Sequence, residues 1–137
     1  MSSKSRSVSL SQSKCDEIKY SCNVNDIIEP MKYSAKESIK MLTGYDITTK
    51  IAKTLQGSVY NATKNGNNIV IKRAFKGLHA KRVGIVDGKQ VSCHENIVNE
   101  GIILKYLTSK KPRNGLVKYI DFVEDDKNYF LLMENGG

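Results

Sequence analysis

Lys72 and Glu100 are the two residues of this chain whose types and surroundings are best suited to chemistry. Lys72 follows the apolar run Ile69-Val70-Ile71, so its ammonium leaves an apolar surface downstream of a bend at Gly57. A cation so placed can hold a charged ligand over a sheet, and a glycine nearby lets backbone N–H groups approach an anion with no Cβ in the way. A glycine there also serves a plain turn. Glu100 falls in the run 96–107, where Ile97, Glu100, Ile103, Leu104 and Leu107 recur at helical spacing. The carboxylate therefore lies beside an apolar stripe, where it either meets a cation or is costly. Lys72 is its natural partner; a solvated charge at the stripe's edge is the alternative.

These two side chains need particular elements to bring them together. The stretch 45–73 reads as a hairpin: Ile47, Val59 and Tyr60 sit in β-branched and aromatic runs, and Lys64-Asn65-Gly66-Asn67 supplies turn chemistry between them and a strand that Lys72 closes. Ser92-Cys93-His94-Glu95 has the S-x-x-E spacing of a capping box and is expected to open the helix that carries Glu100. Between Lys72 and that helix, residues 82–91 read as a second hairpin around Asp87-Gly88, as decoration or a partner contact. Two further strands, 116–124 and 129–134, are joined by Asp125-Asp126-Lys127-Asn128. Upstream, residues 34–42 read as a short helix with Ser34 as N-cap, Glu37 completing a capping box and Gly44 near its end. That helix is expected to pack on the rest as an N-terminal extension.

In this order the motifs resemble the small lobe of eukaryotic protein kinases. Residues 51–59, I-A-K-T-L-Q-G-S-V, are similar to the glycine-rich loop G-x-G-x-x-G-x-V, and Val70-Ile71-Lys72 to the V-A-I-K strand. Gly57 and Val59 match, whereas Ala52 and Thr54 stand where the first two glycines belong. Glu100 resembles the glutamate of the family's helix C. The ending 129–137, Y-F-L-L-M-E-N-G-G, resembles the fifth strand and hinge, L-V-M-E-Y-x-x-G-G.

The resemblance covers residues 45–137 and implies an α+β fold: a five-stranded antiparallel sheet with one main helix, preceded here by the helical extension. It implies ATP as cofactor, with Mg²⁺ in a full-length kinase domain only. Lys72 would contact the α- and β-phosphates and Glu100 would orient Lys72, the two catalytic positions. The nucleotide would lie under Ile51, Ala52, Lys53, Thr54, Gly57 and Ser58. Val59 and Val70 would sandwich the adenine, Met133 would be the gatekeeper, and Glu134 and Asn135 would offer backbone groups to the adenine edge. Leu104 and Tyr119 match positions where the small lobe stacks on the large one. The cofactor-side departures, Ala52 and Thr54, each bring a Cβ near the phosphates and are expected to weaken ATP binding. Gly101, a mid-helix glycine, costs about 1 kcal/mol relative to alanine and is expected to leave the helix easier to shift.

The implied activity is ATP-dependent phosphoryl transfer to protein serine or threonine. No H-R-D-x-x-x-x-N and no D-F-G occurs in the 137 residues, so this polypeptide alone is expected to be inactive. Its expected partners are ATP and the missing large lobe or another kinase. A pseudokinase-like module that regulates another kinase is the alternative, and a small basic nucleic-acid-binding adaptor a third reading.

Composition bounds these readings. The formal charge is +8, but residues 1–44 carry seven basic and five acidic side chains and residues 45–137 fifteen and nine. The densest cluster, Lys110-Lys111-Pro112-Arg113, is too short to form a nucleic-acid stripe, so a solvated basic surface is the better expectation. Residues 1–14 read as a disordered basic tail, and 15–44 as the N-terminal extension. No signal peptide and no apolar run long enough to span a bilayer is visible, which favours a soluble protein of the cytoplasm or nucleus. Cys15, Cys22 and Cys93 lack metal or disulfide spacing and read as free thiols, and His79 and His94 are too isolated to suggest a metal. Asn61-Ala62-Thr63 matches a glycosylation acceptor and is read as strand.

Overall fold

The computed structural model describes residues 33–110 and 117–135. The basic tail, residues 15–32 with Cys15 and Cys22, the Lys111-Pro112-Arg113 part of the basic cluster and Gly136-Gly137 lie outside the described residues.

The chain runs α1 (Ala35–Thr43), β1 (Asp46–Lys53), β2 (Gly57–Lys64), β3 (Asn67–Phe75), α2 (Lys76–Lys81), β4 (Val83–Val86), β5 (Lys89–Ser92), α3 (Ile97–Ser109), β6 (Tyr119–Glu124) and β7 (Asn128–Glu134). The fold is α+β. Its five-stranded sheet has the order β1-β2-β3-β7-β6, with every neighbouring pair antiparallel, and β4 and β5 form a separate two-stranded sheet.

Local chemistry explains the turns. Asn65 and Gly66 take φ of 52° and 83° between β2 and β3, and Asp87 and Gly88 take 52° and 78° between β4 and β5. Two successive left-handed residues are what a two-residue hairpin with right-handed strand twist requires. The α1 capping box forms as read: Ser34 Oγ accepts from Glu37 N at 3.1 Å, and Glu37 Oε1 accepts from Ser34 N at 2.9 Å. Gly44 ends the helix in the left-handed region at φ 82°.

Two expectations are corrected. Lys72 does not close its strand, because β3 runs on to Phe75, where Arg73, Ala74 and Phe75 pair with Phe130, Tyr129 and Asn128. Ser92 does not cap the main helix, because it pairs with Val83 at the end of β5. Asn96 caps instead, its Oδ1 accepting from Asn99 N at 3.0 Å, and the helix extends to Ser109. The sequence motif S-x-x-E is local, whereas pairing in the hairpin withdraws Ser92 from any helix start.

Alternation along β3 divides the interior. Ile69 and Ile71 face α1 in a core with Ile39, Tyr60, Ala62, Phe130 and Leu132. Ala74 and Leu131 face α3 with Ile97, backed by Val98, Phe122, Tyr129 and Met133. A period of two places Lys72 on this second face. Helix α3 reaches that face through Ile97 and Gly101, its two buried residues. A Cβ at Gly101 would lie 2.8 Å from Phe122 Cδ2 and 3.6 Å from Leu131 Cδ1, so the glycine lets helix and sheet approach closely there. Ile102, Ile103, Tyr106 and Leu107 remain exposed.

Candidate functional site

Lys72 stands between Val59 on β2 and Leu131 on β7, its ladder neighbours. Its Nζ lies 3.0 Å from Glu100 Oε1 and 3.2 Å from Oε2, and 3.9 Å from Glu95 Oε2. The expected ion pair is therefore formed, and Glu95, which the sequence reading assigned to a cap, is a second carboxylate near the same ammonium. Only 17 % of the Lys72 side chain is exposed, against 46 % for Glu100. A pair half open to water contributes about 0–1 kcal/mol, so its consequence is placement of the ammonium more than stability.

Above the pair lies a cavity of about 490 Å³ walled by Val59, Val70, Lys72, Glu100, Ile103, Leu104, Leu107, Leu131 and Met133. The walls are apolar apart from one ammonium and one carboxylate. That arrangement suits a ligand with a flat apolar body and an anionic end, and the volume is within the usual range of about 300–1,000 Å³ for small-molecule sites.

The predicted site residues separate into two groups. Val59, Val70, Lys72, Glu100 and Met133 line the cavity together, as does Leu104. Ile51, Ala52, Lys53, Thr54, Gly57, Ser58, Glu134 and Asn135 are not among its lining residues. Ile51, Ala52 and Lys53 are exposed near the end of edge strand β1, which is bulged between Lys50 and Ala52. Ser58 is buried in β2. Glu134 directs its N–H to Lys118 O at 2.9 Å, and Asn135 is exposed at the end of the described residues.

Gly57 has a different local reason from the one its sequence context implies. A Cβ there would lie 2.0 Å from Arg73 O, so the close approach of β2 to β3 requires glycine. Its N–H donates to Thr54 Oγ1 at 3.0 Å, and Thr54 N donates to Gly57 O at 3.0 Å. The turn closes on itself, and both of those donors are taken.

No protein-family model and no curated protein matches this chain. The site is thus characterised by its own geometry. Among the described residues no group of three His, Cys, Asp or Glu could hold a metal ion, and no helix is long and apolar enough to cross a membrane. The neighbouring cation, Arg73, faces the other side of the sheet, 4.4 Å from the Phe75 ring centroid. Burial lowers its pKa, with Tyr60 and Asp125 opposing, yet a guanidinium stays charged.

Residues the sequence reading missed are Leu131, Glu95 and Gln56. Leu131 shares a strand face with Met133 by the period of two, a signal present in the sequence. Gln56 gave none: it is 2 % exposed and its partners are 22 and 27 residues away.

Proposed function

We propose that this chain is the ATP-binding small lobe of a protein kinase of the serine/threonine-directed kind. The observation that carries the reading is the Lys72–Glu100 pair in the lining of an apolar cavity also walled by Val59, Val70 and Met133. The order of those residues along the chain, the antiparallel five-stranded sheet and the helix α3 on the Lys72 face support it.

In this reading adenine occupies the slot between Val59 and Val70, and Lys72 meets the phosphates. An ammonium paired with a carboxylate is biased toward the cavity, so it meets a phosphate with less ordering left to do. Mg²⁺, bound along with the nucleotide in a full kinase domain, would neutralise charge developing on the phosphates. The residues that hold it in that family belong to motifs that the 137 residues do not contain.

One observation favours a second reading, a binding module that regulates another kinase. The Thr54 and Gly57 N–H groups are paired within their own turn, which leaves fewer donors for phosphates than a glycine-rich loop offers.

A thermal-shift titration with ATP and Mg²⁺ tests the first reading. Ligand at about 100 times Kd adds ~2.7 kcal/mol, which at about 4–8 °C per kcal/mol for a domain of this size is a Tm rise of roughly 10–20 °C. A rise in the natural chain that Lys72→Met abolishes supports it. Equal behaviour of both proteins refutes it.

A further inference from the structure

The segment between β3 and α3 is tied on one side to the β1–β2 turn and on the other to the start of α3. On one side, Gln56 in the β1–β2 turn is buried, and its Nε2 donates to Leu78 O at 3.3 Å and Val83 O at 3.1 Å, bridging α2 and β4. Leu55 O, one residue earlier, accepts from Ile85 N at 2.8 Å, and Gln56 O accepts from Phe75 N at 2.9 Å. Gly84 fits against Leu55 so closely that a Cβ would lie 2.5 Å from the Leu55 Cβ.

On the other side, His79, next to Leu78 in α2, places its Nε2 3.0 Å from Asn96 Oδ1. That oxygen already accepts from Asn99 N as the N-cap of α3, so it is an acceptor and the imidazole Nε2–H donates. His79 also stands edge-on to Tyr129, ring centroids 5.2 Å apart, and Cys93 N donates to Arg82 O at 2.9 Å. Leu78 and Cys93 are both buried, so the segment has its own apolar anchor.

We infer that residues 76–92 form a strut that sets the β1–β2 turn and the start of α3 relative to each other, with Gln56 and His79 as its two positioning residues. The turn leads into Val59, a wall of the cavity, and α3 carries Glu100 one turn after its cap. Both elements are thus tied to the same strut, and displacing the strut shifts both. That the site takes a nucleotide is the reading proposed above; the strut itself is testable without nucleotide.

The experiment is hydrogen–deuterium exchange on the full chain without ligand, followed by ATP titration of the same proteins. Gln56→Glu is isosteric and sets a carboxylate oxygen against two carbonyls. His79→Ala removes the donor to the cap, and His79→Gln restores an N–H at a similar reach. Gln56→Glu is expected to speed exchange about tenfold at residues 54–58 and also at 97–101, and His79→Ala to do so at both places from the other end. His79→Gln returns both to the natural rates, while amides of residues 69–71 keep theirs in every variant. Effects confined to the altered end, with the far end unchanged, overturn the strut. Uniform acceleration in Gln56→Glu, residues 69–71 included, also overturns it if His79→Ala then acts only at 97–101. Absence of ATP binding by the natural chain removes the nucleotide reading and leaves the exchange coupling to be judged alone.

Discussion

Lys72 Nζ lies within 3.2 Å of both carboxylate oxygens of Glu100, 28 residues further along the chain, with one side chain on a central strand and the other on the helix covering it. The contact requires the helix to sit close to the sheet. Gly101, the next residue, permits that by presenting no Cβ to Phe122. The pair and the glycine are thus two parts of one helix–sheet contact.

Gly101→Ala separates propensity from packing. Alanine gains about 1 kcal/mol of helix propensity, whereas a Cβ 2.8 Å from the Phe122 ring overpacks the contact at a typical cost of about 1–3 kcal/mol. A net loss of stability is expected in urea unfolding, and Phe122→Leu in the same chain should recover part of it. A gain in the single variant would mean that the helix is free to shift.

Gly57→Ala should behave as a fold mutation. The new Cβ meets a main-chain oxygen at 2.0 Å, which no rotamer can relieve, so a loss at or above the top of the usual range of about 1–3 kcal/mol is expected with or without nucleotide. Gly66→Ala meets nothing within 4 Å and carries only the strain of φ +83°, on the order of 1 kcal/mol. Comparing the two midpoints by denaturation checks the ranking.

Asp125 is expected to contribute to the acid limb of stability. Burial raises its pKa, but hydrogen bonds from the Ser38 side chain, the Lys127 and Asn128 N–H groups and the Asn128 side chain outweigh that and hold it below the ordinary 3.8. A carboxyl depressed on folding contributes stability that is full above its unfolded value and is lost as pH falls through the folded one. Stability should therefore be flat in this respect at neutral pH and decline below about pH 4. Asp125→Asn should be less stable at pH 7 and show a shallower decline in acid, measured by Tm against pH.

The sequence made local features legible and long-range ones opaque. Asn65-Gly66, Asp87-Gly88 and the Ser34–Glu37 box form because their chemistry is complete within four residues. Ser92 to Glu95 has the same box spacing, yet the β4–β5 ladder claims Ser92 and Asn96 takes the cap. Helix α2 was not foreseen: it is six residues long, contains Gly77 and is capped by Phe75 with no side-chain bond. The ion pair was legible because a carboxylate beside an apolar stripe is favoured by a nearby cation, and Lys72 is its natural partner. Gly57 was read as room for an anion, while the residue that requires it, Arg73, is remote in sequence and adjacent only across the sheet.

The most direct measurement is an NMR titration of methyl-labelled protein with ATP and Mg²⁺. The account predicts shifts at Val59, Val70, Leu131 and Met133 around the cavity, and none at Ile39, Ile69 or Ile71 on the far face of the sheet. Methyl signals that stay in place, or that move on the far face while the cavity is silent, would contradict it.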